Sequence, residues 1–218
     1  MELEYVLKPY SQIAEHFDKT REYLWKGIKE FIKSTDDTSL LLDAGCGNGK
    51  NMLVKNRTQC IGFDFCESNN RICSKKGLDV STINIKTIPY RDSVFDHSFT
   101  VAVIHHIEKE EDRLKAINEL VRVTTPGGTI FIQVWSADIP KNKKFIKIIN
   151  NDDDNDNDNN NDYFITWEVK KGHVIKRYYH LFTKDEFTRL LKQVENAEII
   201  QIEEELGNWW GVIKRVKL

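Results

Sequence analysis

At 218 residues the chain is long enough for one well-buried domain. Hydrophobic residues make up 40% and charged residues 30%, an ordinary globular balance, and no run of about 18 apolar residues is present, which excludes a long apolar membrane-spanning helix. The net charge of −2 hides an asymmetry: residues 150–162, NNDDDNDNDNNND, carry six aspartates and no cation, so the remainder stands at +4, an excess that permits an RNA partner without indicating one.

In chain order, the first predicted elements are helices at 13–17 and 23–32, within an N-terminal helical cap over residues 1–35. The opening residues lack a basic flank followed by an apolar core, so no secretory leader is expected. A first strand ends in the stretch 41–50, LLDAGCGNGK. A second strand is predicted at 60–65, with a helix through about residue 76, a third at 80–85 and a fourth at 95–101. Residues 108–123 place Leu114, Ile117, Leu120 and Val121 on one helical face. Pro126-Gly127-Gly128 reads as a turn before a strong β run at 129–135. A surface insertion with a disordered Asn/Asp tract is expected over 136–162, because such a tract buries no apolar area and repels itself. Strands at 163–169 and 174–179 follow, turned by Gly172 and His173. A helix at 184–193 is expected to be capped by Thr183, with Glu186 at its third position. Two last strands at 199–206 and 209–216, broken at Gly207-Asn208, read as an antiparallel hairpin at the sheet edge. The alternation predicts an α/β fold, a single domain over 1–218 built on a mostly parallel seven-stranded sheet.

The glycines of the first loop are Gly45, Gly47 and Gly49, spaced GxGxG where a dinucleotide fingerprint reads GxGxxG. That spacing points to S-adenosylmethionine rather than NAD, with glycine removing side chains where a ligand approaches. Asp43 is expected to orient the methionine amino group or a loop N–H. Asp64 follows 21 residues later, at the end of strand two, placed to accept ribose hydroxyls. Asn84 is expected to end strand three and bond the adenine edge, with Ile85 packing on the ring. Asn48, Phe65 and Val101 complete the expected cofactor set. Cys46, Cys60, Cys66 and Cys73 form no CxxC pair and are read as reduced thiols, and no metal site is predicted.

Read together, IAEHF at 13–17, DAGCGNGK at 43–50, IGFD at 61–64, AVIHHI at 102–107, ELVRV at 119–123, RYYHLF at 177–182 and GNWW at 207–210 resemble a known family. The chain resembles class I methyltransferases with a Rossmann-like fold and, more narrowly, the tRNA wobble-uridine carboxymethyl methyltransferase family. The motifs run along nearly the whole chain. Departures exist: Leu24 and Lys26 stand where that family has prolines beside a tryptophan, and Asp112 stands where it has an arginine. The resemblance implies methyl transfer from S-adenosylmethionine to the carboxylate of 5-carboxymethyluridine in tRNA. A carboxylate is ionised near neutral pH, so no general base is needed and catalysis is positioning plus desolvation. His105 and His106 are then candidates to contact the substrate. Arg21, Arg177 and His180 are candidates to hold the carboxymethyl group or phosphates. Asn208 and Trp209 are candidates to shape a base pocket. KNKKFIK at 141–147 offers a basic patch for an RNA backbone. The resemblance also implies a small zinc-binding activator protein as partner along strand three; no membrane association is expected, and a cytoplasmic setting is, with the nucleus as second candidate. The rival readings are a small-molecule O- or N-methyltransferase, or a non-catalytic subunit with this fold inside an RNA-modifying complex.

Overall fold

Leu40–Ala44 (β1) is four-fifths buried, and that apolar run forms the middle of the main sheet in a computed structural model of the chain. The structure describes residues 1–20, 23–55, 59–142, 144–148, 160–170 and 172–217. Arg21, Lys143 and most of the Asn/Asp tract lie outside the described residues. Gln59–Asp64 (β2) and Val80–Thr82 (β3) extend the sheet on one side of β1. Phe95–Val101 (β4), Thr124–Trp135 (β5), Ala197–Glu204 (β9) and Asn208–Arg215 (β10) extend it on the other, in the order β3-β2-β1-β4-β5-β10-β9. β1 pairs in parallel with both β2 and β4, while β10 runs antiparallel to β5 and β9. The strand order therefore reverses at β1. In such sheets the crevice beyond the carboxyl ends of the strands at this point takes the ligand.

Strand alternation divides the core between two faces. Leu42, Ile130, Ile132, Val134 and Ile213 point to Glu110–Val123 (α4) and Lys184–Lys192 (α5), which present Ile117, Leu120, Leu190 and Leu191. Leu41, Phe99, Phe131 and Trp210 point to Lys26–Ser34 (α2), which presents Ile28, Phe31 and Ile32. Trp210 stacks on Phe131 with ring centroids 5.3 Å apart. Glu67–Lys75 (α3) crosses from β2 to β3 and buries Cys73 against Cys46 and Met52. The Thr183 cap forms as expected, accepting the Glu186 N–H at 3.1 Å.

Several expectations need correction. β3 stops at Thr82, because Ile83 and Ile85 leave the sheet plane to enter the core, and Asn84 sits in the turn that follows. There its own side chain accepts the Lys86 N–H at 2.9 Å. Pro126-Gly127-Gly128 lies inside β5 at a register shift against β4 rather than in a turn ahead of it. Gly128 is required there because a Cβ would collide with the Asp96 carbonyl oxygen. Gly128→Ala is expected to destabilise the fold by about 1–3 kcal/mol through that overlap, read as a lowered denaturation midpoint with an unchanged m-value.

Strands Phe145–Lys147 (β6), Asp162–Lys170 (β7) and His173–His180 (β8) form a separate antiparallel sheet in the order β6-β7-β8. Asp162 thus belongs to a strand and to a buried network, not to a solvated tract: its carboxylate accepts the Tyr178 hydroxyl at 2.7 Å. The small sheet packs Trp167 and Ile175 on Ile13 of Lys8–Thr20 (α1). A π-helical turn at Leu3–Leu7 precedes α1, and Tyr5 packs on Phe164 with centroids 4.5 Å apart. Among the described residues no helix is long and apolar enough to cross a membrane.

Candidate functional site

A cavity of about 190 Å³ opens at the topological switch point. Its floor is the loop after β1 with the ends of β2 and β4, its far wall is β8, and α1 with the preceding turn forms its roof.

At one end sits the glycine loop. The N–H groups of Gly45 and Cys46 donate to the Phe63 carbonyl at 2.8 and 2.9 Å, tying the loop to β2. Gly47 has φ +54, and a Cβ there would meet only Phe17 at 3.6 Å, so its open side faces the cavity. Gly45 and Gly49 serve packing: a Cβ on Gly45 would strike Val103, and one on Gly49 would strike Leu78. Gly49 does not line the cavity, contrary to expectation. Asp64 does; its carboxylate accepts Gly47 N–H at 2.9 Å and Cys66 N–H at 2.8 Å. Burial holds the Asp64 carboxyl above the usual range, with those two N–H bonds opposing the rise without cancelling it. A carboxylate has about four lone-pair sites, so Asp64 keeps acceptor capacity toward the cavity. Asn48, Phe65, Asn84, Ile85 and Val101 also line it.

Asp43 does not. Alternation along β1 puts it on the face of Leu41, fully buried, with neither carboxylate oxygen hydrogen-bonded among the described residues. Burial, then the neighbouring Cys73 and Asp64, hold its carboxyl well above the usual carboxylate range. The expected contact to a loop N–H is not made.

The other end is aromatic and cationic. Ala102 follows β4 at φ +61, a left-handed conformation that L residues adopt rarely and that marks strained functional turns. The next turn, Ile104–His106, places both histidines in the cavity wall, buried to 1% and 7% exposure. His105 stacks on Tyr179 with centroids 4.9 Å apart, and its Nδ1 accepts the Trp135 backbone N–H at 3.2 Å. His106 bonds the Tyr178 carbonyl through Nδ1 at 2.7 Å and the Tyr10 hydroxyl through Nε2 at 3.0 Å. Burial pushes both imidazoles down, His106 to about 3, so both are neutral near pH 7.

Arg177 is 4% exposed and lines the same end. Its Nη1 donates to the hydroxyls of Tyr179 at 2.7 Å and Tyr10 at 3.2 Å, and its guanidinium lies 4.8 Å from the Trp167 ring centroid. Among the described residues no carboxylate lies within ion-pair distance of it, and its Nε has no partner. A buried cation without a counter-ion is costly, and an anionic ligand removes that cost.

Three expected site residues stand elsewhere. His180 is clamped between Asp162 at 2.7 Å and Glu186 at 2.6 Å, so both ring nitrogens are occupied and neither faces the cavity. Asn208 closes the hairpin by donating to the carbonyls of Glu205 and Leu206, each at 3.1 Å. Trp209 packs against the α4–α5 side of the core, because adjacent strand positions 209 and 210 face opposite ways. Sequence reasoning does not single out Tyr10. The signal is its helical spacing with Ile13 and Phe17, which puts all three on the inner face of α1. No group of three or more His, Cys, Asp or Glu among the described residues is placed to hold a metal ion.

Residues 42–132 match the family model described as a methyltransferase domain. The chain is 41% identical over 138 residues to an Arabidopsis thaliana protein named tRNA (carboxymethyluridine(34)-5-O)-methyltransferase, covering 63% of this chain and 34% of that one. It is 30% identical over 233 residues to a protein of the same name from Schizosaccharomyces pombe, covering 98% of this chain and 97% of that one. The chain thus spans about a third of the Arabidopsis relative and nearly all of the fission-yeast one. An S-adenosylmethionine-dependent methyltransferase structure from Clostridium acetobutylicum superposes with a TM-score of 0.66 at 15% identity, over 96% of this chain and 100% of that one, a likeness of fold.

Proposed function

Because the chain belongs to the tRNA (carboxymethyluridine(34)-5-O)-methyltransferase family, we propose that it methylates the carboxylate of 5-carboxymethyluridine at the wobble position of tRNA, using S-adenosylmethionine. The observation that carries the reading is Arg177, a buried guanidinium with no acidic partner among the described residues, facing the same cavity as the glycine loop. Its planar fork suits a carboxylate.

The residues present fit the cofactor. Gly47 leaves open space, Asp64 retains acceptor sites for ribose hydroxyls, and Asn84 with Ile83 and Ile85 forms a half-apolar wall for adenine. When bound, S-adenosylmethionine supplies an electrophilic methyl group on a sulfonium. The protein's own part is to hold the acceptor carboxylate on Arg177 and to exclude water with Tyr10, Trp135 and Tyr179. The nucleophile is ionised at neutral pH, so neutral His105 and His106 are not required to remove a proton.

Asp64→Ala is expected to weaken S-adenosylmethionine binding by about tenfold or more, the scale of a lost hydrogen bond to a charged group, measured by calorimetry. Among the described residues β3 pairs only with β2 and forms one edge of the sheet, with Ser81 and Thr82 exposed, which supports an activator adding a strand there. The test of the function uses the chain co-purified with a candidate small zinc-binding partner, radiolabelled S-adenosylmethionine and tRNA lacking the methyl ester. Label recovered in a base-labile ester of 5-carboxymethyluridine supports the reading. A complex that binds cofactor and tRNA yet leaves that nucleoside unlabelled overturns it.

A further inference from the structure

Resting on that reading of the cavity, we infer that the histidine and arginine nitrogens left over at its acceptor end among the described residues are all hydrogen-bond donors, a polarity fixed by Tyr10, so that it takes a carboxylate and rejects the corresponding carboxamide. The Tyr178 carbonyl, 2.7 Å from His106 Nδ1, can only accept, so the His106 proton is on Nδ1. In the neutral ring Nε2 is then an acceptor, and the Tyr10 hydroxyl 3.0 Å away must donate to it. With its one proton so placed, Tyr10 oxygen accepts from Arg177 Nη1 at 3.2 Å, and the 3.2 Å bond between the two tyrosines runs from Tyr179 to Tyr10. The chain Tyr179 to Tyr10 to His106 to the Tyr178 carbonyl therefore points one way, away from the cavity.

His105 is set the opposite way round. Its Nδ1 accepts the Trp135 N–H, which leaves the proton on Nε2. Among the described residues the histidine and arginine protons left over at this end are the His105 Nε2–H, the Arg177 Nε–H, buried without a partner, and those of Arg177 Nη2, since both tyrosine bonds run from Nη1. All donate. A carboxylate oxygen meets each of them, whereas a carboxamide turns an NH₂ toward at least one, leaving facing donors unpaired in a buried site. Tyr10 comes from α1, so the roof of the cavity also sets its chemistry: it occupies the one imidazole lone pair on His106 that would welcome an amide N–H.

Tyr10 is a positioning residue, and Tyr10→Phe keeps its ring packing on Phe17 and His106. The full chain loaded with S-adenosylhomocysteine would be titrated with two anticodon stem-loops differing only in a carboxymethyl or a carbamoylmethyl group on the wobble uridine. Wild type is expected to prefer the carboxylate by about tenfold or more. Tyr10→Phe is expected to shrink that ratio by at least about threefold, the scale of one neutral hydrogen bond, with cofactor affinity unchanged. Equal binding of the two stem-loops by wild type, or a ratio unmoved by Tyr10→Phe, overturns the inference. A second measurement needs no ligand: ¹⁵N-resolved histidine spectra should show His106 protonated on Nδ1 and His105 on Nε2, and the reverse pattern at His106 overturns it. Carboxylate-selective binding without methyl transfer retires the proposed reaction and supports the inference. Failure to bind either stem-loop retires the RNA reading, and the histidine spectra then decide the inference alone.

Discussion

Arg177→Met is expected to lower methyl transfer by about a hundredfold or more, the scale for removing one partner of a buried charged pair. Cofactor affinity should stay within about twofold, because the nearest polar work of Arg177 is done at the acceptor end, on Tyr10 and Tyr179. Stability should move the other way from activity. Among the described residues the guanidinium has hydroxyl and ring partners but no carboxylate, and a methionine of similar length removes a buried charge that lacks a counter-ion. The thermal midpoint of the free variant is therefore expected at or above that of wild type. Steady-state kinetics on tRNA, calorimetric titration of the cofactor and thermal denaturation check the three statements. A variant that loses cofactor binding in step with activity would show that Arg177 belongs to the cofactor end, and a sharply lowered midpoint would show that its aromatic contacts outweigh the buried charge.

The parts of the fold that can be read in the chain are those governed by local rules. Strand one is legible because three leucines run into aspartate and alternate glycines, and α4 because Ile117, Leu120 and Val121 recur on one face. The final hairpin is legible because Gly207 supplies φ +75 between two β-rich runs. What the chain hides are effects of tertiary contact. Nothing in PGG at 126–128 reveals that β5 passes through it, since the reason is a close approach to the Asp96 carbonyl in another strand. VSTINI reads as six strand residues, yet its isoleucines turn inward after three, because the core below them outcompetes a sheet edge.

The site divides along the same line. Gly47 and Asp64 meet through one hydrogen bond between the ends of neighbouring strands, and both are legible from the spacing of strands one and two. Arg177 is legible as a motif member, but its lack of a counter-ion is visible only once β8 is laid against α1. His180 is the converse. Three residues further along the same strand, it looks equally available in sequence, and it is taken by carboxylates 18 residues upstream and 6 downstream. A histidine between two acids is a structural cation, and its neighbour in sequence cannot show that.

That placement gives His180→Gln a distinctive pH signature. Its ring bridges Asp162 and Glu186, and Glu186 also meets Arg113 at 3.4 Å. Burial works against the imidazolium, but the bonds to Asp162 and Glu186 dominate and hold its pKa above the ordinary histidine value, while both carboxyls are held below theirs. A raised histidine stabilises the fold fully below its unfolded value of about 6.5 and loses that contribution as pH climbs through the folded value. The two lowered carboxyls act in the opposite sense, stabilising above about pH 4 and losing it as acid protonates them. The network is thus strongest between those limits. His105 and His106, whose values are lowered chiefly by burial, penalise the fold below about pH 6.5; that burial is common to wild type and variant, and only the repulsion of His105 by a charged His180, the last of its causes, is relieved in the variant. His180→Gln is expected to cost about 3 kcal/mol at mildly acidic pH, because two buried carboxylates lose their shared cation, and distinctly less at about pH 9. Thermal denaturation across that range checks it, and a pH-independent offset would show that His180 contributes by packing alone. Function should follow through position. Arg113 donates to the carbonyls of Ile107 at 3.1 Å and Glu108 at 2.7 Å, immediately after the two cavity histidines. Loosening its Glu186 anchor should therefore lower kcat while leaving cofactor affinity intact, because the turn that carries His105 and His106 is fixed from behind by this network.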